Sequence, residues 1–271
     1  MDFVTSKDGT GIAYNKAGSG PALILVDGAF CSKDFGPMPK LAPLLAESFT
    51  VFTYDRRARG ESGDTPPYTV QKEIDDIQAL LNEAGGSAFL FGISSGAVLA
   101  LKAVAAGLNI TQLALYEPPF NIDGKYKEPP AGYVEKLQLM IAEGLKGDAA
   151  KYYLTQVIGV PSIIAFILRL TPNWSKMKAN AGSLPYDAEI MGDGSMPAKQ
   201  ISAITIPAIA IAGEKSPDML RKAAHAVAEK LQNGQHRVLK GQTHNVSEKV
   251  LAPELIRFFT AQYKVKSHEP L

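Results

Sequence analysis

The sequence predicts an α/β domain with a mostly parallel central sheet, flanking helices and a helical insertion. Apolar runs of strand length alternate with amphipathic helix patterns up to residue 117, stop alternating over 118–203, and alternate again from 207 to about 262. Parallel neighbours need helical crossovers, so this alternation dictates a sheet covered on both faces. The expected core is residues 1–119 and 204–271, with the insertion at 120–203.

"DFVTS" and "GIAYNKAG" flank the turn Asp8-Gly9-Thr10-Gly11 and read as an opening hairpin. "PALILV" (21–26) and "FTVFTYD" (49–55) are strands buried on both faces. In "TVQKEIDDIQALLNEAGG" (69–86), Val70, Ile74, Ile77, Leu80 and Leu81 share one helical face, Thr69 is placed to cap the start, and Gly85 to end it. "SAFLFG" (87–92) is a buried strand, "SGAVLALKAVAAGL" (95–108) a small-residue helix, and "QLALYE" (112–117) a further strand. After the insertion come the strand "PAIAIAG" (207–213), the helix "DMLRKAAHAVAEKL" (218–231), the strand "HRVLKG" (236–241) and a last helix near 246–262. No repeat or low-complexity linker divides the 271 residues.

Composition narrows the functions. Hydrophobic residues make up 46% and the net charge is +1 with no polybasic run, so nucleic acid and anionic membranes are not expected partners. The longest apolar stretch, "VIGVPSIIAFILRL" (157–170), is short for a membrane span and is broken by Pro161 and Arg169. The first residues lack an apolar secretory core, and the single Cys31 allows neither an internal disulfide nor a cysteine zinc site. A soluble protein of the reducing cytoplasm, needing no cofactor or metal and acting on a small molecule, is the expectation.

The most informative stretch is Gly92-Ile93-Ser94-Ser95-Gly96, a Gly-x-Ser-x-Gly between a strand and a helix. Such glycines permit the sharp turn that lifts a serine hydroxyl above a sheet at a helix N-terminus. Ser94 is then the nucleophile, and the Ser95 backbone N–H points at an oxyanion forming on a bound carbonyl. A phosphate-binding turn fits less well, because no Gly-x-Gly-x-x-Gly and no following lysine occur.

Nearly the full length, through the hairpin, the "DRRARGESGD" loop (55–64), the elbow and the strand–His turn, resembles α/β-hydrolases of the lidded single-domain serine esterase type. The resemblance implies that 120–203 is a lid. It also implies a second oxyanion donor in the loop after "PALILV", which usually begins His-Gly. Here Asp27 replaces that histidine and Ala29 inherits the donor role. A negative charge at Asp27 would disfavour anionic substrates, although Asp27 is alternatively a structural partner of the arginine loop. Arg56, Arg57 and Arg59 read as salt-bridge partners of Asp55, Glu61 and Asp64 within their own loop, and Cys31 as a bystander.

A serine nucleophile needs a base. His225 lies in an amphipathic helix, His236 opens a strand and His268 lies in a polar tail, which leaves His244 in "KGQTHNV", after the last strand and on the elbow's side of the sheet. The family places its histidine in this loop. Most relatives carry the acid three residues past the glycine of "PAIAIAG", where this chain has Ser216; Asp218 is close but reads as a first-turn helix acid. The fold's second known acid position is the end of the strand after the elbow helix. There stands Glu117, 23 residues beyond Ser94 and closing an apolar strand. An unpaired carboxylate at such a place is costly, and pairing with His244 would relieve it. Glu117 is the expected acid, with Asp218 in reserve.

The expected activity is cleavage of a carboxylic ester or related acyl bond through an acyl-enzyme. The apolar stretch "IGVPSIIAFILRLTPNW" in the insertion points to a small or medium apolar substrate. Dehalogenase and epoxide-hydrolase chemistry is disfavoured, since those relatives carry aspartate at the elbow. Two alternatives stay open: a cofactor-free haloperoxidase or perhydrolase with the same triad, and a non-hydrolytic small-molecule sensor. Oligomeric state is not legible.

Overall fold

The computed structural model describes residues 2–124 and 128–261. Strands β1 (Asp2–Thr5) and β2 (Gly11–Ala17) pair antiparallel, from Asp2↔Tyr14 to Thr5↔Gly11. They are followed by β3 (Ala22–Val26), β4 (Thr50–Tyr54), β5 (Ala88–Ile93), β6 (Ile110–Tyr116), β7 (Ala208–Gly213) and β8 (Gly234–Leu239). The eight-stranded sheet has the order β1-β2-β4-β3-β5-β6-β7-β8, and every pairing from β4 to β8 is parallel.

Alternation along the central strands loads both faces. Leu23, Leu25, Phe89, Phe91, Ile209 and Ile211 meet α1 (Met38–Leu45) and α11 (Glu248–Ala261). Phe259 of α11 stacks on Phe89 with ring centroids 5.0 Å apart. Ile24, Val26, Leu90, Leu113 and Ala210 face α2 (Val70–Glu83), α3 (Ser95–Ala105) and α10 (Asp218–Lys230).

Between β6 and β7 the chain is helical. It runs through α4 (Tyr133–Ala142), α5 (Lys146–Tyr152), a π turn (Tyr153–Val157), α6 (Ser162–Arg169), α7 (Asn173–Ala179), a 3₁₀ turn (Asn180–Ser183), α8 (Leu184–Met191) and α9 (Ala198–Ser202). Leu137, Ala149, Tyr153, Leu154, Leu184 and Ala188 give this segment its own core. That core closes over Phe30, in the loop after β3, whose ring meets Tyr153 edge-on at 5.6 Å.

Three local expectations change. Strand β8 begins at Gly234 and ends at Leu239, two residues earlier than read, because pairing runs from Ala208↔Gly234 to Gly213↔Leu239 and Gly241 turns away at φ +72°. His236 is therefore inside the strand. Thr69 precedes α2 in extended conformation, but its side chain makes no cap hydrogen bond. Helix α1 carries Pro39 and Pro43, which disguise it in the sequence; its buried Met38, Leu41 and Leu45 nevertheless keep helical spacing.

Candidate active site

The site is built where four loops leave the C-terminal edge of the sheet. Ser94 links β5 to α3 at φ 56°, ψ −127°, a conformation costing about 1–3 kcal/mol for a non-glycine residue. Its glycine neighbours have steric reasons. A Cβ on Gly92 would lie 2.5 Å from the Gly96 carbonyl oxygen, and one on Gly96 would lie 2.4 Å from that of Val26. The Ser94 N–H donates to the Tyr116 carbonyl at 2.9 Å, tying the elbow to the neighbouring strand.

Glu117 follows β6 and is fully buried, at φ 50°. Its Oε1 accepts the Gly213 N–H at 2.7 Å, and its Oε2 lies 2.6 Å from His244 Nδ1. This leaves Nε2 of the half-buried His244 ring for other work. Tyr116, which the sequence did not single out, steadies the histidine loop by donating its hydroxyl to the Thr243 carbonyl at 2.6 Å. Asp218 sits instead on the surface of α10, paired with Lys222 at 2.7 Å and Arg221 at 3.2 Å. The remaining histidines are elsewhere: exposed His225 pairs with Glu229, His236 packs edge-on against His225, and His268 lies outside the described residues.

Ala29 lies in the loop after β3 and Ser95 at the first position of α3. Among the described residues, neither backbone N–H has a protein acceptor. Gly28 lies against Ser94, since a Cβ there would be 3.1 Å from Ser94 Cβ and 3.7 Å from Oγ. Among the described residues, no three His, Cys, Asp or Glu side chains group as a metal site would require.

The arginine loop differs from expectation. Its partners come from elsewhere, and all three guanidiniums are buried. Arg56 bonds Glu73 at 2.6 and 2.7 Å, Arg57 bonds Asp76 and Asp8, and Arg59 bonds Asp187 at 2.6 Å. The loop's own Asp55 accepts the N–H groups of Lys33 and Glu61, and Asp64 accepts the Tyr186 hydroxyl. Asp187, on α8, is a second residue that the sequence did not single out. Its Oδ1 accepts from Arg56 at 2.7 Å and from the Ser95 hydroxyl at 2.8 Å. Burial alone would push this carboxyl up, but Arg59 and Arg56 outweigh it and hold it below the usual range.

Asp27 is also buried, and burial raises its carboxyl to about 7 against the opposing pull of Arg59. It faces the 31–36 loop, with Oδ1 beside Gly36. The premise of a full negative charge on the substrate side therefore weakens. Burial, and next the charge of Asp27, push the Cys31 thiol well up, so little reactive thiolate forms there.

A cleft of about 720 Å³ opens beside Ala29, lined among others by Phe30, Phe35, Lys176, Met177 and Asn245. Of the stretch 158–174 in the insertion, Asn173 lines this cleft and its apolar side chains do not. Ile163, Phe166 and Leu170 of that stretch are 65%, 56% and 74% exposed.

Comparison with known proteins agrees with this architecture. The Alpha/beta hydrolase family profile matches residues 23–246. An alpha/beta hydrolase from Sphaerobacter thermophilus DSM 20745 superposes with a TM-score of 0.89 at 43% identity, covering 95% of this chain and 100% of that one. The chain belongs to the α/β hydrolase family. A thermophilic esterase from Thermogutta terrifontis (TM-score 0.70, 20% identity, 99% of each chain) shares the fold. The uncharacterized hydrolase YraK of Bacillus subtilis (strain 168) is 38% identical over 97 residues, which span 34% of this chain and 35% of that relative. No helix among the described residues is long and apolar enough to cross a membrane.

Proposed function

We propose that the chain is a cofactor-independent serine hydrolase that cleaves a carboxylic ester or related acyl bond of a small to medium substrate. The observation that carries this reading is the strained Ser94 elbow, tied by its N–H to Tyr116, together with the 2.6 Å contact between buried Glu117 and half-buried His244, which occupies Nδ1. Ser94 Oγ attacks the carbonyl carbon while Nε2 takes its proton. The Ala29 and Ser95 N–H groups hold the resulting oxyanion. Collapse expels the alcohol with the proton returned from Nε2, leaving an acyl-Ser94. Water, deprotonated by the same nitrogen, then attacks this ester, and a second collapse frees the acid and restores the hydroxyl. Glu117 keeps the ring oriented and stabilises the imidazolium formed in each half.

The cleft of about 720 Å³ is in the size class of small-molecule sites. It is lined by Ala29 and by Gln242 and Asn245 of the histidine loop, not by Ser94, Glu117 or His244, so it adjoins these three residues rather than containing them. The helical segment between β6 and β7 covers Phe30 and acts as the lid. The test is the time course of p-nitrophenol release from p-nitrophenyl acetate by wild type and Ser94→Ala. Sustained release that the variant loses supports the reading. A burst stopping near one equivalent would instead mark a sensor that captures its ligand without turnover, and undiminished release by Ser94→Ala would refute Ser94 as nucleophile.

A further inference from the structure

A peptide unit is planar and trans, so its C=O and N–H point in opposite directions. Whatever grips the Gly28 carbonyl therefore aims the Ala29 N–H. Arg59 Nη1 grips it, donating to the Gly28 carbonyl at 2.6 Å and to that of Cys31 at 3.2 Å. The guanidinium has no freedom of its own. Nε donates to Ser183 Oγ at 2.7 Å and Nη2 to Asp187 Oδ2 at 2.6 Å, both from the helical segment above the sheet. The other oxyanion residue meets the same carboxylate, for Ser95 Oγ donates to Asp187 Oδ1 at 2.8 Å. Two further carbonyls of the loop are held in the same manner, Asp27 by Arg56 at 3.3 Å and Phe30 by Asn180 at 2.9 Å.

We infer that Arg59, clamped by Asp187 and Ser183, is a positioning residue that sets the oxyanion hole and makes its geometry depend on the docked helical segment. Both donors converge on Asp187: Ser95 through its hydroxyl, and Ala29 through Arg59 and the shared peptide. The planar fork is required, because one guanidinium must serve the carbonyl, the hydroxyl and the carboxylate at once. A lysine reaches one of these partners at a time. The inference rests on the serine-hydrolase reading, since it assigns a task within that reaction.

The test compares wild type, Arg59→Lys and Ser183→Ala on p-nitrophenyl acetate, together with inhibition by a trifluoromethyl ketone, which forms a hemiketal oxyanion on Ser94. Outright loss of an oxyanion donor costs about 10²–10³ in kcat, so a misaimed one should cost about 10- to 100-fold in Arg59→Lys and about 3- to 10-fold in Ser183→Ala. KM should stay near wild type, and the ketone inhibition constant should rise in step with KM/kcat. A merely structural role would lower the folded fraction, read by circular dichroism, without moving the inhibition constant of the folded remainder. Folded variants that keep wild-type kcat and ketone affinity, or that change only KM, would overturn the inference while leaving the hydrolase reading standing. If Arg59→Lys does not fold, Ser183→Ala decides. Absence of Ser94-dependent turnover in wild type would remove the hydrolase reading, and this inference with it.

Discussion

Replacing Glu117 by glutamine perturbs one atom and should reverse one hydrogen bond. The Gly213 N–H donates to Oε1 at 2.7 Å, and a donor at that point selects the oxygen of the new amide. The amide nitrogen then stands at the Oε2 position, 2.6 Å from His244 Nδ1. An NH₂ group cannot accept, so Nδ1 becomes the acceptor and the ring proton moves to Nε2. That tautomer cannot take the proton of Ser94. Locking the wrong tautomer costs about 10⁴-fold in kcat, on the order of 5 kcal/mol of transition-state stabilisation. Binding is little changed, so KM should stay within about threefold if the loss lies in the chemical step alone. The fold should persist, because the Gly213 N–H keeps its acceptor. The assay is steady-state hydrolysis of p-nitrophenyl acetate by Glu117→Gln beside Asp218→Asn, with thermal unfolding of each. Asp218→Asn should retain wild-type turnover, since that carboxylate pairs with Lys222 and Arg221 on a helix surface. A Glu117→Gln variant within about tenfold of wild type, or an equal loss in Asp218→Asn, would refute the assignment.

Three other outcomes follow from the same geometry. The buried Asp27 carboxyl titrates at about 7 when folded and near 3.8 when unfolded, so the unfolded chain sheds its proton first and stability falls as pH rises between these values. The full penalty is on the order of 4 kcal/mol, about half of it or more between pH 5 and 8, and Asp27→Asn should remove that dependence in urea melts at the two pH values. Gly96→Ala would press a Cβ to 2.4 Å from the Val26 oxygen and 2.5 Å from that of Asp27, and should lower unfolding free energy by about 3 kcal/mol in denaturant titrations. Phe166→Ser alters a side chain 56% exposed on α6, and should leave kcat/KM within about twofold and stability within about 0.5 kcal/mol; a larger loss of activity would return α6 to the substrate path.

What the sequence disclosed depended on the range of the interaction. Strands such as "SAFLFG" are legible because burial on both faces writes itself as a continuous apolar run, and the elbow because its Gly-x-Ser-x-Gly pattern lies within five consecutive residues between a strand and a helix. Glu117 drew attention as a carboxylate ending an apolar strand, and the structure sets it against His244, 127 residues away. Asp187 gave no such signal. It reads as an ordinary acid in the first turn of a short helix, and only the folded chain brings Arg56, Arg59 and Ser95 to it. The arginines failed for the same reason: "DRRARGESGD" supplies charges of both signs, so local pairing was the economical reading. Burial of the three guanidiniums forced them to find carboxylates on other elements.

The non-glycine residues at positive φ among the described residues are Phe30, Ala58, Ser94 and Glu117. Each costs about 1–3 kcal/mol and persists only where its surroundings over-determine it. Ser94 and Glu117 directly follow paired strands, where the Ser94 N–H bonds Tyr116 and the Glu117 N–H bonds Ile211. Phe30 is held by Asn180 at its carbonyl and by Tyr153 at its ring. Ala58 precedes Arg59, whose guanidinium is anchored to Ser183 and Asp187. The strain at Phe30 and Ala58 therefore adjoins the buried polar network, and that at Ser94 and Glu117 adjoins backbone hydrogen bonds of the sheet. Apolar packing tolerates small adjustments, whereas a buried charge that loses its partner is strongly destabilising. A network of this kind can hold Phe30 and Ala58 in unfavourable conformations, because relaxing either would pull partners away from the buried Arg59 guanidinium.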